Sequence, residues 1–587
     1  MGDRAESQTA DMMTRKAKRK TIAILEPTGR APDGAVFGAW VVVDEAIKET
    51  IRNAACDQIC IYSENEILTN GEIGGSLAAF VLHNRFKHVE FELLRSLAKN
   101  GAIRQFDHWH DFRLGLRPFA LRLGLARRRD FPVSICHHTV SYQCLYHDAF
   151  LRLLMGDVRP YDSLICASTA ARDAIRTIMA SITESVRTNT GADISFKGRL
   201  DVVAFGVRTD LFRPRDKIDT RNQFGLPRDA FIILWVGRLS ERDKADLLPL
   251  LRVFRRLIER NKRRELLLVL AGSELDPGVQ SAQLEDYARV LGIADRIRIL
   301  TSIPSAYRYV IFATADIFVS PSDNIQETFG LTPIEAMATG IPQVVSDWDG
   351  YRETVRHGET GFLVPTHWIK CDQDLERFGI AFESQMLDHL AISQTVVIDL
   401  DSFEKHLQLL IDRPALRARM AQASRKRAVA KYDWSAVVRC LKELWKDQEE
   451  QRQSAPDTPS QWRLRDYTDP KFFEYFKGYA AAILTGNEVL TLTREYQRVA
   501  YEGEPLPYYF AKSWGFDRAL FSAIVRVLER AAERKSRKTI SQVRDALVGR
   551  FEAGLILRHV TWALKYGYLR LSHAPLHTSR RGSRAAR

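Results

Sequence analysis

The sequence contains no run of about 18 apolar residues, which is the length that a membrane-spanning helix needs. Its first 20 residues are polar and basic and include no apolar segment, so we expect no secretory signal. Any contact with a membrane is therefore expected to be peripheral. We expect a cytoplasmic protein, with the inner face of the membrane as the place for such a peripheral contact.

Cysteine is also scarce, at seven of 587 residues, and the number is odd. Cys56 and Cys60 are close enough to suggest a pair of metal ligands, but no second pair of cysteines and no histidine cluster follows them. Scattered cysteines in largely apolar surroundings predict reduced thiols in the core, which suits a reducing cytoplasm.

What is present is the composition of an ordinary globular protein, with 45% hydrophobic and 27% charged residues. A chain of 587 residues exceeds a single core and predicts about two to four domains. The net charge of +13 favours partners that carry phosphate groups or an acidic membrane surface, without identifying one of them.

Short apolar runs alternate with helix-like segments from residue 21 to residue 215. The runs are Thr21–Leu25, Gln58–Ser63, Val133–Cys136, Ser163–Ala167 and Leu200–Ala204. Residues 216–448 repeat the pattern, with an insertion at about 366–398 and a terminal helix at about 432–448. The alternation predicts an α/β protein with two tandem, doubly wound Rossmann-like domains and a cleft between them. In such sheets, ligands bind at the carboxyl ends of the strands.

The remaining regions are predicted from polarity and helical periodicity. We expect disordered basic ends at residues 1–20 and 576–587, a polar linker at 449–462 and a mainly helical accessory domain at 463–575. In that domain, a helix, a turn, a second helix and a short strand after Gly567 suit a winged-helix module. Such modules bind DNA or contact other proteins, and an apolar helix face is the simpler interpretation, so we do not expect nucleic acid as the partner.

One segment places acidic side chains at the start of a helix. Glu327 and Gly330 fall in the loop after a strand-like run. Thr332, Pro333 and Glu335 then have the order of residues that begin a helix. The partial positive charge at that helix end suits a phosphate group, and a carboxylate in the loop can accept hydrogen bonds from sugar hydroxyls. Two interpretations of Glu335 stay open, because Thr332 and Glu335 also have the spacing of a capping box.

A second segment brings two cations to the end of another strand. Gly237 ends a strand-like run, and Arg238 and Lys244 follow in the loop and the next turn. Two cations in that place can hold a diphosphate and offset the charge that it gains on leaving. The alternative is a solvated charged loop, because residues 241–243 between the two cations are all charged.

Together these segments resemble the retaining glycosyltransferases of family 4, which have the GT-B fold. That family has a Glu, seven residues and a second Glu, with Phe-Gly-Leu after the first Glu and Ala-Met-Ala after the second, as in this chain. The matching residues are Glu327, Phe329, Gly330, Leu331, Glu335 and 336–338, together with Gly237, Arg238, Leu239 and Lys244. The resemblance covers roughly residues 21–445. It implies that residues 21–215 form the acceptor-side domain and residues 216–448 the domain that binds the nucleotide sugar.

The first domain carries weaker matches to the same family. The run at 131–142 resembles the strand that ends in a histidine, which in the family hydrogen-bonds the donor sugar and positions it. Counting from Pro132 places His138 rather than His137 in that role, and the choice between the two stays open. Gly34 stands where the family has the first of two glycines, and Ala35 replaces the second.

The resemblance implies a hexosyltransferase that moves a sugar from a UDP- or GDP-type donor, with retained configuration and without a metal or other cofactor. The acceptor can be a glycan, a lipid or a small molecule. Arg238, Lys244 and amides near Gly330 would hold the leaving diphosphate, while Glu327 would bind sugar hydroxyls and Glu335 the ribose. There are two alternatives. One is a protein without catalytic activity, either a sugar-nucleotide sensor or a protein that binds a partner through its C-terminal domain. The other is a different enzyme with two Rossmann-like domains, such as a sugar-nucleotide epimerase or a glycan phosphorylase.

Three other features are not assigned to this site, and the first of them, two aspartate pairs, is expected to lie outside it. Two pairs of aspartates have the spacing of metal ligands: Asp347 with Asp349, and Asp399 with Asp401. His108 and His110 also suggest a metal, but no third ligand is placed, so we expect no metal and interpret this segment as a strand end beside the cleft. The basic amphipathic segment 113–129 could touch an anionic membrane, although the family has an ordinary helix in that position.

Overall fold

A computed structural model describes most of the chain. The described residues are 20–25, 38–53, 58–63, 76–93, 107–115, 118–119, 122, 131–142, 145–274, 276–301, 303–369, 371, 385–455, 478, 483–497, 501–502 and 517–572. Gly34, Cys56 and Cys144 lie outside them, as do residues 1–19 and 573–587. The chain forms two compact units, residues 1–464 and 465–587. Within the described parts, none of the helices combines the length and the apolarity that crossing a bilayer requires.

The first domain is built on a seven-stranded parallel sheet. Its strands lie in the order β3-β2-β1-β4-β5-β6-β7. They are β1 (Thr21–Leu25), β2 (Gln58–Ser63), β3 (Val89–Leu93), β4 (His108–Asp111), β5 (Val133–Cys136), β6 (Ser163–Cys166) and β7 (Arg199–Val202). The helices of this domain are α1 (Gly38–Asn53), α2 (Ser76–His83), α3 (Leu151–Met155) and α4 (Thr169–Thr190). Helices on both faces explain why β1 is almost entirely apolar and buried.

The second domain repeats this architecture with a six-stranded parallel sheet in the order β10-β9-β8-β11-β12-β13. The strands are β8 (Phe231–Val236), β9 (Leu266–Ala271), β10 (Ile297–Leu300), β11 (Ile317–Ser320), β12 (Gln343–Ser346) and β13 (Gly361–Val364). The helices are α5 (Lys217–Gln223), α6 (Leu248–Arg260), α7 (Val279–Val290), α8 (Leu331–Thr339) and α9 (Tyr351–Thr354). The strand order reverses between β8 and β11, which is where such sheets bind their ligands.

The end of the first unit contains an antiparallel strand pair and a series of helices. The pair is β14 (Thr366–Trp368) and β15 (Val396–Ile398), which lie at the two ends of the predicted insertion. The helices are α10 (Gln385–Ser393), α11 (Leu400–Asp412), α12 (Pro414–Arg427) and α13 (Trp434–Ser454). Pro414 separates α11 from α12 because proline is well suited to the first position of a helix.

Helix α13 returns to the first sheet and joins its core. Trp434, Leu441 and Trp445 belong to the same buried apolar cluster as Ile22 and Ile24 of β1. The helix ends at Ser454, so the linker predicted from residue 449 is wrong over its first six residues. One polar side chain near the end of this helix also binds the first domain. The Gln448 amide donates to the carbonyl oxygens of Val133 and Tyr161 (3.2 and 2.8 Å).

The described cysteines are free thiols. Core placement is confirmed for Cys60, Cys136 and Cys166, which are buried. It is wrong for Cys440, which lies on the exposed side of α13.

The second unit, residues 465–587, has its own core and its own sheet. Its described elements are β16 (Val489–Leu492), α14 (Arg518–Glu533), β17 (Lys538–Thr539), α15 (Ile540–Leu547), α16 (Ala553–Lys565) and β18 (Leu569–Ser572). The strands form an antiparallel sheet in the order β17-β16-β18. Helices α15 and α16 pack together. The central strand, β16, precedes α14, and helices separate all three strands along the chain. Among the described residues, no two strands of this sheet are therefore joined by a turn alone.

Candidate functional site

The candidate site lies at the carboxyl ends of β8 and β11, which are neighbours in the second sheet. Gly237 and Arg238 follow β8 directly, and the loop that carries Glu327 follows β11. Lys244 connects the two loops, because its Nζ donates a hydrogen bond to Oε2 of Glu327 at 2.5 Å. The structure therefore brings together the two segments that the sequence singled out.

The Lys244–Glu327 pair is shielded but not sealed from solvent, with side chains 19% and 11% exposed. Burial alone would raise the pKa of Glu327, but the charge and hydrogen bond of Lys244 outweigh it and lower that pKa. Burial would likewise lower the pKa of Lys244, and Glu327 raises it instead. The amides of Thr328 and Phe329 also point at Oε1 of Glu327 (3.3 and 3.4 Å). Both groups are thus ionised at neutral pH, one as a cation and one as an acceptor of hydrogen bonds.

The loop after β8 is anchored rather than solvated. The guanidinium group of Arg238 lies 3.0 Å from the carboxylate of Asp243, which is itself buried. The carbonyl group of Arg242 accepts a hydrogen bond from Asn324 in the neighbouring loop (2.9 Å). None of the residues from 237 to 245 is exposed. The solvated-loop interpretation is therefore wrong.

Gly272 is required by a close approach between two strand ends. A Cβ atom added to Gly272, just after β9, would lie 1.6 Å from the carbonyl oxygen of Gly237. The loop that presents Arg238 can sit this close to β9 only because Gly272 has no side chain.

Helix α8 begins without the predicted capping box. Its N-cap is Gly330 with φ +93°, so Thr332 lies inside the first turn, and its hydroxyl has no hydrogen-bond partner among the described residues. A side chain at Gly330 would also meet the ring of Tyr351 at 2.2 Å. Gly330 takes the cap position because only glycine fits this backbone and this contact. Glu335 is therefore not a capping residue, and the capping-box interpretation of it is wrong.

Glu335 instead takes part in a charge cluster that links the two domains. Its Oε1 lies 3.2 Å from Nη2 of Arg308, and the same nitrogen lies 3.3 Å from Oε1 of Glu45 on α1. Burial raises the pKa of Glu335, against the opposing charge of Arg308. Sequence patterns did not identify Arg308 or Glu45, since both lie in ordinary amphipathic stretches.

The first domain meets the Glu327 loop through backbone and hydroxyl groups. The Ser168 hydroxyl donates to the carbonyl oxygen of Thr328 (2.7 Å), and the Thr328 hydroxyl donates to the carbonyl oxygen of His138 (3.1 Å). The amide of Thr169 donates to the Glu353 carboxylate (2.5 Å). The residue after Glu327 is thus held by both domains.

The two candidate histidines differ in their surroundings. The His138 ring is 2.6 Å from the carbonyl oxygen of Phe112 and stacks on Phe205, and Phe205 contacts Phe329 edge to face. Neither ring nitrogen of His137 has a partner among the described residues, and burial lowers the pKa of that ring to about 3. The main chain of His138 contacts the Glu327 loop, and both rings are neutral at neutral pH.

The two aspartate pairs that have the spacing of metal ligands take part in other contacts. Asp399 caps α11 through the amides of Asp401 and Ser402, and Asp347 pairs with Arg352 at the surface. Asp349 departs from our expectation, because burial and then the charge of Glu327 raise its pKa. In the described parts of the chain, no three metal-ligating side chains come together.

His108 and His110 lie in a central strand rather than beside the cleft. Both rings are buried, and they share the hydroxyl of Ser134 at 2.7 and 2.6 Å. Burial lowers the pKa of both rings, so both are neutral. These contacts account for the two histidines as parts of the core.

Two doubly wound domains, a shared site at their carboxyl strand ends and a final helix that returns to the first domain define the GT-B class of fold. Residues 216–377, which lie in the second domain, match the family described as glycosyl transferases group 1.

Several known proteins are similar to this chain. A D-inositol 3-phosphate glycosyltransferase 2 of Catenulispora acidiphila is 38% identical over 180 residues, which are 30% of this chain and 40% of that protein. A D-inositol 3-phosphate glycosyltransferase of Mycobacteroides abscessus is 36% identical over 200 residues, 33% of this chain and 43% of that protein. The chain therefore spans about two fifths of the length of these curated relatives.

Among solved structures, a sucrose-phosphate synthase from Thermosynechococcus elongatus aligns with 74% of this chain and 100% of its own, at 19% identity and a TM-score of 0.47. The Anabaena protein Alr3699/HepE in complex with UDP aligns with 73% of this chain and 100% of its own, at 16% identity and a TM-score of 0.48.

Proposed function

We propose that this protein is a retaining glycosyltransferase that moves a sugar from a nucleotide-diphosphate sugar to an acceptor without a bound metal. The observation that carries the proposal is the Lys244–Glu327 pair, held at 2.5 Å between two strand ends with Arg238 beside it. A cation suits the leaving diphosphate, and an ionised carboxylate suits the hydroxyl groups of a sugar. The match of residues 216–377 to the family described as glycosyl transferases group 1 supports the same assignment.

The chemistry that this arrangement favours needs only groups of the chain and of the substrates. The bond between the anomeric carbon and the diphosphate breaks, and the charge that develops on the diphosphate meets Arg238, Lys244 and the start of α8. The acceptor hydroxyl forms the new bond on the same face of the sugar, and its proton passes to a diphosphate oxygen. This route explains retention of configuration without a side chain that acts as a base.

A screen of donors tests the proposal directly. The full chain is incubated with UDP- and GDP-sugars, and release of the nucleoside diphosphate is measured with and without a panel of acceptors. The panel includes glycans, lipids and inositol 3-phosphate, the last because of the names of the relatives. We expect turnover of at least one donor. Binding of nucleotide sugars without any turnover would favour the sensor alternative and overturn the proposed transfer.

Glu335 yields a prediction that separates binding from chemistry. If it binds the ribose, which does not react, its interaction is the same in the ground state and the transition state. Glu335→Ala is therefore expected to raise KM for the donor about ten- to hundredfold and to change kcat less than about fivefold. Steady-state kinetics over a range of donor concentrations measure both constants.

Glu45→Gln is the matched control for Glu335→Ala, because it removes the other carboxylate that contacts Arg308. Arg308 keeps one carboxylate partner in each variant, so neither change leaves its charge unpaired. We expect KM for the donor to change less than about threefold in Glu45→Gln. A fall in kcat at unchanged KM in Glu335→Ala would assign this carboxylate to the chemical step instead.

A further inference from the structure

Asp349 lies at the edge of the sheet that carries the candidate site. It belongs to the loop after β12, and β12 is hydrogen-bonded to β11, the strand that leads into the Glu327 loop. Neighbouring parallel strands end at the same edge of a sheet, so these two loops lie side by side. Asp349 thus lies in the loop next to the one that carries the proposed sugar-binding carboxylate.

Close contacts fix the Asp349 loop against the Glu327 loop. On one side of Asp349, the indole nitrogen of Trp348 donates to the carbonyl oxygen of Asn324 (3.1 Å). On the other side, a Cβ atom at Gly350 would lie 2.5 Å from the Cα atom of Phe329. Both neighbours of Asp349 therefore touch the loop that carries Glu327, and the position of Asp349 is set from both directions.

The backbone of Asp349 is held in an unfavourable conformation. Its φ is +45°, and the only other described residues with positive φ that are not glycine are Arg85 and Lys535. Those two follow the ends of helices and are exposed, where a left-handed residue is common. Asp349 instead precedes α9. A strained residue that its neighbours hold in place is typical of functional sites.

The side chain of Asp349 has an unused polar atom. Its Oδ2 is shielded from solvent and has no hydrogen-bond partner among the described residues. Burial and then the charge of Glu327 raise its pKa well above the usual range, with a smaller contribution from Glu353 and opposing ones from the Gly350 amide and Arg352. The rise favours the protonated form of this carboxyl group, which can donate a hydrogen bond as well as accept one.

We propose that Asp349 is a further donor-binding residue, whose carboxyl group contacts a hydroxyl group of the transferred sugar and helps to select that sugar. The inference rests on the proposed glycosyltransferase function. Glu327 can only accept hydrogen bonds, whereas a neutral carboxyl group beside it can donate one to a hydroxyl oxygen. The two acids together distinguish sugars by the position and orientation of hydroxyl groups.

The test compares three variants with the donor that the screen identifies. Asp349→Gly removes the side chain and relieves the backbone, Asp349→Asn keeps the shape and a hydrogen-bond donor, and Asp347→Asn is the control in the same loop. Asp347 suits that purpose because it pairs with Arg352 at the surface. For each variant, kcat and KM are measured with the donor and with analogues that lack one hydroxyl group, and the midpoint of thermal unfolding is recorded.

We expect Asp349→Gly to lower kcat/KM about ten- to hundredfold without lowering the unfolding midpoint. Asp349→Asn should stay within about fivefold of the wild type, and Asp347→Asn should be unchanged. One analogue should be a poor donor for the wild type, because it lacks the hydroxyl group that Asp349 contacts. For Asp349→Gly the same analogue should be as good a donor as the full sugar nucleotide, because that contact is already absent from the variant.

Two results overturn the inference, and they are distinguishable from failure of the proposed function. Turnover by the wild type with an unchanged kcat/KM in Asp349→Gly would assign Asp349 a structural role only. An equal loss in Asp349→Asn and Asp349→Gly would exclude a neutral hydrogen-bond donor. If the wild type turned over no nucleotide sugar at all, the proposed function would fail first and this inference with it.

Discussion

Lys244→Ala and Glu327→Ala are each expected to lower sugar transfer about 10²- to 10³-fold or more, which abolishes it in an ordinary assay. The first change removes the cation that meets the leaving diphosphate. The second removes the carboxylate that binds the sugar and orients Lys244 at 2.5 Å. Release of the nucleoside diphosphate, followed over hours at high enzyme concentration, measures the residual rate. Wild-type-like turnover in either variant would overturn the assignment of the site.

Because both residues act on one donor molecule, their effects should not add. We expect the double variant Lys244→Ala/Glu327→Ala to lose no more than about tenfold beyond the worse single variant. Additive losses would place the two side chains in separate steps. The matched control is the exposed pair of Arg255 and Glu259 on α6 of the same domain, whose single alanine variants should keep wild-type rates.

The fold is expected to survive these changes. Both side chains lie in loops at strand ends, outside the apolar clusters, and both keep some access to water. The partner that loses its counter-charge can therefore be hydrated, and we expect the midpoint of thermal unfolding to fall by only a few degrees. Circular dichroism at the same protein concentration verifies that lost activity is not lost structure.

Most strands of the two sheets and the Lys244–Glu327 half of the candidate site could be predicted from the sequence for one physical reason, whereas β3 was not predicted. Apolar runs such as Phe231–Val236 and Leu266–Ala271 are fully or almost fully buried strands, and glycine and charge at their ends mark the edge that binds ligands. Two strand ends with complementary charge then predict a contact, and the Lys244–Glu327 pair is that contact.

The errors came from local rules that a distant contact overrides. Thr332 and Glu335 have the spacing of a capping box, but the ring of Tyr351 requires glycine at position 330, and this glycine becomes the cap. The polar residues from 449 onward suggest a linker, but they continue a helix. In the first case the deciding contact lies outside the segment that the rule considers, and in the second the polar side chains pair along the helix, as Arg452 does with Glu449.

The interdomain charge cluster could not be predicted at all. Arg308 lies 27 residues from Glu335 and 263 residues from Glu45 along the chain. Nothing local distinguishes these three charges from the many on exposed helix faces, since their proximity follows from how the two sheets face each other. Asp349 left a weak signal, an Asp-Gly pair at the end of a strand, which permits a left-handed residue.

The second large effect is expected within the basic segment 113–129, which suggested contact with a membrane. The structure places Arg122 of this segment in the core, fully buried together with Asp162. Its guanidinium group binds both carboxylate oxygens of Asp162 at 2.7 and 2.8 Å and the carbonyl oxygen of Asp157 at 2.5 Å. Asp162 also accepts the amides of Val133 and Arg159. At least this cation faces inward.

Arg122→Ala is expected to destabilise the protein by about 3–5 kcal/mol, because it leaves the carboxylate of Asp162 buried without its counter-charge. The midpoint of the first thermal transition should fall by about 10 °C. Arg187→Ala on α4, whose partner Glu184 is exposed, should lower it by no more than about 1 °C. An unchanged midpoint in Arg122→Ala would show that the guanidinium group faces solvent and would restore the membrane interpretation.

The double variant Arg122→Met/Asp162→Asn and the dependence on pH identify the cause of that loss. Removing both charges should recover part of the stability, because neither charge of the pair remains and the side-chain amide at position 162 can still accept a hydrogen bond from a neighbouring backbone amide. In Arg122→Ala alone, burial already raises the pKa of Asp162 and the opposing charge is gone, so that pKa rises further. Between the ordinary carboxyl pKa and this raised pKa, the folded state binds more protons than the unfolded state. The stability of the variant therefore falls as the pH rises through that range. The gap between variant and wild type should therefore be smaller at pH 5 than at pH 8, as measured by thermal unfolding at each pH.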